Sequence, residues 1–160
     1  MTGTALASDL RLTIAKEVVV HASIDATFAA LLEQMGPGNE TPDGQPLPMV
    51  LEPRPGGRWF RDLGGDNGHL WGHVQSIKRP TRMEIVGPLF LSTAAVSNLQ
   101  YRLTEVEGGT RITFSHTAFG AVPEEVRGQL SAGWQPLLDR IQAQAEGRRV
   151  THSSGEPSCR

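Results

Sequence analysis

The chain has 160 residues, a length that fits one domain with its own hydrophobic core. Hydrophobic residues make up 38% and charged residues 20%, as in globular rather than disordered proteins. The formal net charge is -2 and no Lys/Arg-rich block occurs, which argues against nucleic-acid binding. No apolar run approaches the roughly 20 residues of a membrane-spanning helix, which argues against membrane insertion.

Cysteine usage and the two ends of the chain suggest where the protein works. Cys159 is the only cysteine, so no disulfide can form within the chain. Met1 to Ala5 lack the basic flank and apolar stretch of a secretory signal. These features favour a reducing, cytoplasmic location. The Gly/Ser/Thr-rich composition after Glu146 predicts a single domain over residues 1–146 and a disordered tail over 147–160.

The N-terminal part predicts a strand, a helix and a loop. Leu10–His21 alternates apolar residues and then becomes β-branched, which is typical of a strand. Ser23 is a suitable N-cap for a helix from Ile24 to about Glu33. The segment from Gly36 to Pro48 is rich in proline and glycine, so no regular element is expected. It could form a lid or cavity rim, but we favour a plain surface loop.

The middle of the chain predicts four short strands separated by turn residues. The turn Arg54-Pro55-Gly56-Gly57 places proline and glycine where their preferred φ angles are needed. The predicted strands are Met49–Pro53, Arg58–Leu63, His69–Ile77 and Arg82–Val86.

The last ordered part predicts two strands followed by one long helix. Val96–Thr104 and Thr110–Phe119 meet across a Gly-Gly turn. The helix opens at Pro123 and runs to about Glu146, with an apolar stripe at three- and four-residue steps. Pro136 predicts a kink or a break after Ala132, because proline cannot donate the helical hydrogen bond. Two strands followed directly by a long helix predict a sheet that packs around the helix and can enclose a cavity.

Several short motifs together resemble one known family. They are Pro55-Gly56-Gly57-Arg58-Trp59, Gly72-His73-Val74, Gly109-Thr110-Arg111-Ile112-Thr113-Phe114-Ser115-His116, and Gly133-Trp134 with Leu137-Leu138. The series, over roughly Leu12 to Ala145, is similar to the Hsp-ninety ATPase activator homologue family of the SRPBCC superfamily, whose members are START-related helix-grip proteins. The resemblance implies an α+β fold, with a curved antiparallel sheet of about six or seven strands around a long C-terminal helix and a short helix after strand one.

The resemblance implies several functions, because fold alone does not fix function. We expect a binding protein for a small hydrophobic or amphipathic ligand in an internal cavity. The alternatives are a chaperone-associated, ATPase activator-like protein and a cyclase or dehydratase that uses His116 and Tyr101 for proton transfer. We favour a protein without catalytic activity, since no catalytic triad or paired carboxylates are visible. A homodimer is compatible with the resemblance.

Six large side chains are the candidate ligand-binding residues. They could line an apolar pocket, or equally fill the core. They are Trp59, Trp71, Tyr101, Phe114, His116 and Trp134.

His116 is the polar candidate among the six. Strand parity puts it on the face of Ile112 and Phe114. It could anchor a ligand or act as a general acid or base. We favour the alternative, a histidine near the strand end that is hydrogen-bonded to backbone or half solvated. The Tyr101 hydroxyl needs a buried partner, and His116 on the next strand is our candidate.

A metal site or other cofactor is not expected. His69 and His73 lie on one strand face about 13 Å apart, too far to bind one ion. The loop with Asp62, Asp66 and Asn67 lacks the closing bidentate Glu of a calcium site.

Overall fold

The computed structural model describes residues 10–148, which form one antiparallel sheet and two helices. The sheet has seven strands in the order β1-β7-β6-β5-β4-β3-β2. The elements are β1 (Arg11–Val20), α1 (Ile24–Met35), β2 (Val50–Leu51), β3 (Arg58–Gly64), β4 (Asn67–Lys78), β5 (Arg82–Gly87), β6 (Ala95–Val106), β7 (Gly109–Gly120) and α2 (Glu124–Ala145). The predicted α+β fold, a curved sheet with a long C-terminal helix, is confirmed.

The ends of the chain leave two predictions open. The predicted tail over 147–160 lies outside the described residues, except for Gly147 and Arg148. Cys159 lies outside them as well, and the domain boundary at Glu146 stays a prediction.

Helix α1 begins where its capping residue predicts. The Ser23 hydroxyl accepts a hydrogen bond of 3.1 Å from the backbone N–H of Ala26, which satisfies a free donor of the first turn. The helix continues two residues beyond the predicted Glu33, ends at Met35 and is capped by Gly36. Its buried face carries Phe28 and Leu31 into the core, so packing sets its orientation on the sheet.

Strand β2 is shorter than predicted, Val50–Leu51 rather than Met49–Pro53. Proline has no N–H for a ladder hydrogen bond, and the chain turns directly after it. In that turn the Gly57 N–H donates to the Arg54 carbonyl at 2.8 Å, while Gly56 has a φ of +76°. The predicted turn Arg54–Gly57 is therefore confirmed.

Helix α2 is continuous from Glu124 to Ala145, and the predicted break at Pro136 is wrong. Proline removes one helical hydrogen bond, at a cost of about 3 kcal/mol when nothing adapts. Trp134 and Leu137, on either side of Pro136, are both buried against the core, and this packing holds the helix together across the proline. The kink alternative stays a prediction.

The core lies between the inner face of the sheet and the two helices. Tyr101 on β6 pairs with Phe114 on β7, and their ring centroids are 4.9 Å apart. The Phe114 ring in turn lies 5.0 Å from the Trp134 ring of α2. These three rings, tilted against one another, connect the sheet to the middle of the long helix.

Candidate functional site

A cavity of about 320 Å³ lies between the 36–48 loop, strands β3 and β4, and helix α2. Ligand pockets range from about 300 to 1,000 Å³, so this one suits a compact molecule. Its lining is mostly apolar, with polar groups concentrated near the loop. The lining residues are Asn39, Glu40, Thr41, Pro42, Leu47, Trp59, Trp71, Phe90, Gln129, Leu130, Gly133, Trp134, Leu137 and Arg140.

All three tryptophans of the chain line this cavity, each from a different element. Trp59 is held by its indole N–H, which donates to the Met35 carbonyl at the end of α1 at 2.7 Å. Trp71 packs edge-on against Trp59 with the ring centroids 5.1 Å apart. Trp134 comes from α2, opposite these two strand residues. The sheet and the helix thus place aromatic surface on two sides of one space.

Phe90 extends the aromatic wall toward solvent. Its ring lies 5.7 Å from Trp71, and 42% of its surface is exposed. Phe90 therefore adds exposed apolar surface at the edge of the cavity.

The loop over residues 36–48 forms the rim of the cavity. Its backbone is fixed by hydrogen bonds from the Leu47 N–H to the Asn39 carbonyl and from the Met49 N–H to the Gly36 carbonyl. Pro42 of the loop lies close to Gly133 of α2, and both line the cavity. The rim alternative therefore describes this loop, and the plain surface loop that we favoured is wrong.

His116 is completely buried and hydrogen-bonded through both ring nitrogens. The Trp134 indole N–H donates to its Nδ1 at 3.0 Å, and its Nε2 lies 2.9 Å from the Ser97 hydroxyl. Since an indole N–H can only donate, Nδ1 must be unprotonated, so Nε2 carries the proton and donates to Ser97. Burial lowers the pKa of His116 to about 4, which keeps the ring neutral near pH 7.

These contacts correct two predictions about His116. It is neither half solvated nor bonded to backbone, since both partners are side chains. The predicted hydrogen bond with Tyr101 is also wrong, although both residues point to the inner face of the sheet. The Tyr101 hydroxyl is buried and has no hydrogen-bond partner among the described residues. Burial raises the pKa of this phenol well above its usual range.

The structure divides the six candidate residues into two groups. Trp59, Trp71 and Trp134 line the cavity. The other three are fully buried and do not line the cavity; they are Tyr101, Phe114 and His116. Phe114 and His116 contact Trp134, which does line it. A ligand-binding role for any of the six stays a prediction.

Arg140 is the positively charged residue of the cavity lining, and sequence reasoning missed it. It lies on α2 and is only 5% exposed. Its Nε donates to the Gln34 side-chain carbonyl at 3.0 Å, and its Nη2 contacts the Asn39 side chain at 3.4 Å. Burial lowers the pKa of the guanidinium, while the nearby Glu40 and Asp139 charges oppose that shift. A signal was present, because Arg140 follows Leu137 by three residues and so shares its side of the helix.

Other features of residues 10–148 concern metal binding, the cavity wall and membranes. Within residues 10–148, no group of three or more His, Cys, Asp or Glu side chains could hold a metal ion. His69 accepts a hydrogen bond of 3.2 Å from the Trp71 indole and so supports the cavity wall. No helix in the described part of the chain is long and apolar enough to cross a membrane.

Comparison with known proteins gives one family match. Residues 44–146 match the family model described as "Activator of Hsp90 ATPase homolog 1-like protein". This segment contains the cavity lining from Leu47 to Arg140. No curated protein matches the sequence.

Solved structures share the fold at low sequence identity. An uncharacterized protein from Rhizobium leguminosarum is 20% identical with a TM-score of 0.65, over 86% of this chain and 96% of that chain. CalU16 from Micromonospora echinospora is 20% identical with a TM-score of 0.59, over 83% of this chain and 75% of that one. The di-domain ARO/CYC StfQ from the steffimycin biosynthetic pathway is 16% identical with a TM-score of 0.65. That match covers 88% of this chain but only 52% of StfQ.

Proposed function

The chain belongs to the Activator of Hsp90 ATPase homolog 1-like protein family, and from that premise we propose that it binds a small hydrophobic or amphipathic ligand in the cavity beside α2. The observation that carries the proposal is the convergence of Trp59, Trp71 and Trp134 on one space of about 320 Å³. Aromatic side chains on several sides of a preformed cavity are typical of small-molecule sites.

The alternative of a cyclase or dehydratase has less support from this geometry. StfQ is an ARO/CYC protein, but likeness at this identity supports only a common fold. His116 and Tyr101 were the candidates for proton transfer, and neither lines the cavity. Both nitrogens of His116 are also occupied by Trp134 and Ser97, so a substrate would first have to break one of these hydrogen bonds. The chaperone alternative rests on the family description, and the homodimer and cytoplasmic location stay predictions.

The cavity provides its own optical reporter, because every tryptophan of the chain lines it. We propose titration with N-phenyl-1-naphthylamine, an uncharged dye made of a naphthalene and a phenyl ring, which accepts energy from excited indoles. Binding in the cavity should quench tryptophan emission and enhance dye emission in a saturable way, with one dye per chain.

A matched pair of glycine variants tests the location. A Cβ at Gly133 would have only Pro42 nearby, at 3.8 Å, which is an ordinary contact, so Gly133→Leu should place its side chain in the cavity from a position that accepts a Cβ. Gly128, one and a half turns earlier in α2, has no neighbour within 4 Å and does not line the cavity. We expect Gly133→Leu to weaken dye binding at least about tenfold, or about 1.4 kcal/mol, and Gly128→Leu to leave it unchanged. No saturable transfer, or equal effects of the two variants, would contradict the proposal.

A further inference from the structure

One wall of the cavity combines a buried cation with apolar surroundings. Arg140 projects from α2 next to Leu137 and Trp134 and lines the cavity with them. With 5% of its surface exposed, it is far more buried than an arginine on a solvated helix face. A buried charge is costly unless a partner of opposite charge or several hydrogen bonds compensate it.

The partners of Arg140 in the described chain are neutral oxygens. They are the side-chain carbonyl of Gln34 at 3.0 Å, that of Asn39 at 3.4 Å, and the Glu40 backbone carbonyl at 3.5 Å. The last two distances are long for N–H···O hydrogen bonds, whose usual range ends near 3.2 Å. The Glu40 carboxylate, which also lines the cavity, favours the charged guanidinium through its own negative charge. None of the ion pairs within residues 10–148 includes Arg140.

Some N–H groups of the Arg140 guanidinium have no hydrogen-bond acceptor in the described part of the chain. The guanidinium carries five N–H groups, and the three contacts above use only Nε and Nη2. No hydrogen bond from its Nη1 occurs in the described part of the chain. Since hydrogen bonds to an ionised acceptor are shorter and stronger than neutral ones, a carboxylate or sulfonate oxygen beside Nη1 would give the guanidinium a strong acceptor that the described chain does not provide.

We infer that the ligand is an organic anion, with its acidic group beside Arg140 and its flat apolar body against Trp59, Trp71 and Trp134. The inference rests on the proposed function and adds the chemical class of the ligand. It also explains the position of the loop: Asn39 contacts Arg140 from the rim, so the same loop that closes the cavity orients the cation.

Two competitors of nearly identical shape test the charge in the wild-type protein. Each competitor is titrated against bound N-phenyl-1-naphthylamine, and the loss of dye emission gives its affinity. The two molecules differ in one group, a carboxylate in 2-naphthoate and a neutral amide in 2-naphthamide. We expect the naphthoate to bind at least about tenfold more tightly, because only the carboxylate adds the attraction of opposite charges to its hydrogen bond with the guanidinium. This comparison requires no substitution and so does not depend on the folding of a variant.

Variants of Arg140 then assign the preference to one residue. Arg140→Met keeps a long apolar side chain, so it should remove the preference for naphthoate and retain binding of the uncharged dye. Arg140→Lys keeps a positive charge but has fewer N–H donors, so it should retain part of the preference for naphthoate. Arg102→Met removes the same charge from an exposed position on the outer face of β6. It should leave the affinity for both competitors unchanged.

The outcomes separate the two proposals. If the dye binds but naphthoate and naphthamide compete equally, or if Arg140→Met keeps the preference, the anion inference is overturned and the cavity proposal stands. If the dye does not bind to wild type at all, both are overturned. A naphthoate preference that disappears in Arg140→Met and persists in Arg102→Met supports both.

Discussion

The indole N–H of Trp134 donates a 3.0 Å hydrogen bond to Nδ1 of His116, which joins the middle of α2 to β7 in the sheet. His116 is completely buried, and Trp134 is 8% exposed. The same tryptophan presents its ring to the cavity. One side chain therefore both fixes the long helix on the sheet and forms a wall of the candidate site.

The first prediction concerns the strength of this hydrogen bond. Trp134→Phe keeps an aromatic ring but leaves the buried His116 Nδ1 without a donor. We expect a loss of about 1–3 kcal/mol in the free energy of unfolding, measured by urea denaturation with circular dichroism. Trp71→Phe is the control, because its indole also donates to a histidine, His69, but in a half-buried position where water can substitute. Losses of equal size would show that burial does not strengthen the Trp134 bond.

The second prediction is a pH dependence of stability. The pKa of His116 is about 4 in the folded protein because of burial, against 6.5 in an ordinary histidine. Between these values the unfolded chain binds more protons, so stability is complete above pH 6.5 and falls as the pH drops toward 4. At pH 5 the expected loss is about 2 kcal/mol relative to neutral pH.

His116→Gln provides the comparison for that measurement. The amide can still accept from Trp134 and donate to Ser97, but it does not titrate. Urea midpoints of both proteins should be measured from pH 7.5 to 5. The wild type should lose stability more steeply, and parallel curves would contradict the assignment to His116.

The third prediction contrasts two buried hydroxyl groups. The Tyr101 hydroxyl has no hydrogen-bond partner among the described residues, whereas the Thr110 hydroxyl donates to the Ala22 carbonyl at 2.9 Å. Tyr101→Phe should therefore leave the free energy of unfolding unchanged or raise it by about 1 kcal/mol, because an unsatisfied polar group is removed.

Thr110→Val should instead lower stability by about 1–3 kcal/mol, since the Ala22 carbonyl loses its donor. Both variants are compared with wild type in the same urea series. A clear loss in Tyr101→Phe would mean that its hydroxyl has a partner, and would argue against the packing described for β6.

The fourth prediction concerns the proline inside the continuous helix. Pro136→Ala restores an N–H that can donate to the Ala132 carbonyl, so α2 should gain a hydrogen bond within a helix that is already continuous. We expect thermal and urea denaturation to show a gain of about 1–3 kcal/mol. Gly128→Ala is a helix substitution that restores no hydrogen bond, and it should raise the free energy of unfolding by about 1 kcal/mol at most. A destabilised Pro136→Ala protein would indicate that the ring contributes packing that outweighs the missing bond.

Much of the fold was readable from local patterns. The alternation along Val96–Thr104 and Thr110–Phe119 gave two strands that the structure extends by one to two residues at their ends. The Ser23 cap and the turn at Gly56 were readable too, because each depends on the chemistry of a few adjacent residues. The hydrogen-bond partners of His116 could not be predicted in this way, and Tyr101 is not one of them. Strand parity gives the face on which a side chain lies but not its distance from a partner.

The sequence by itself determined the order of elements, the turns, the face of each strand and the family, because these follow from spacing and from residue types next to one another. Only the tertiary structure decided that three tryptophans meet in one cavity, that Trp134 rather than Tyr101 bonds His116, and that Arg140 lies buried among them. Each of these contacts joins residues from different elements. Packing of the whole chain selects them, and no local pattern encodes the distance between groups that lie far apart in sequence.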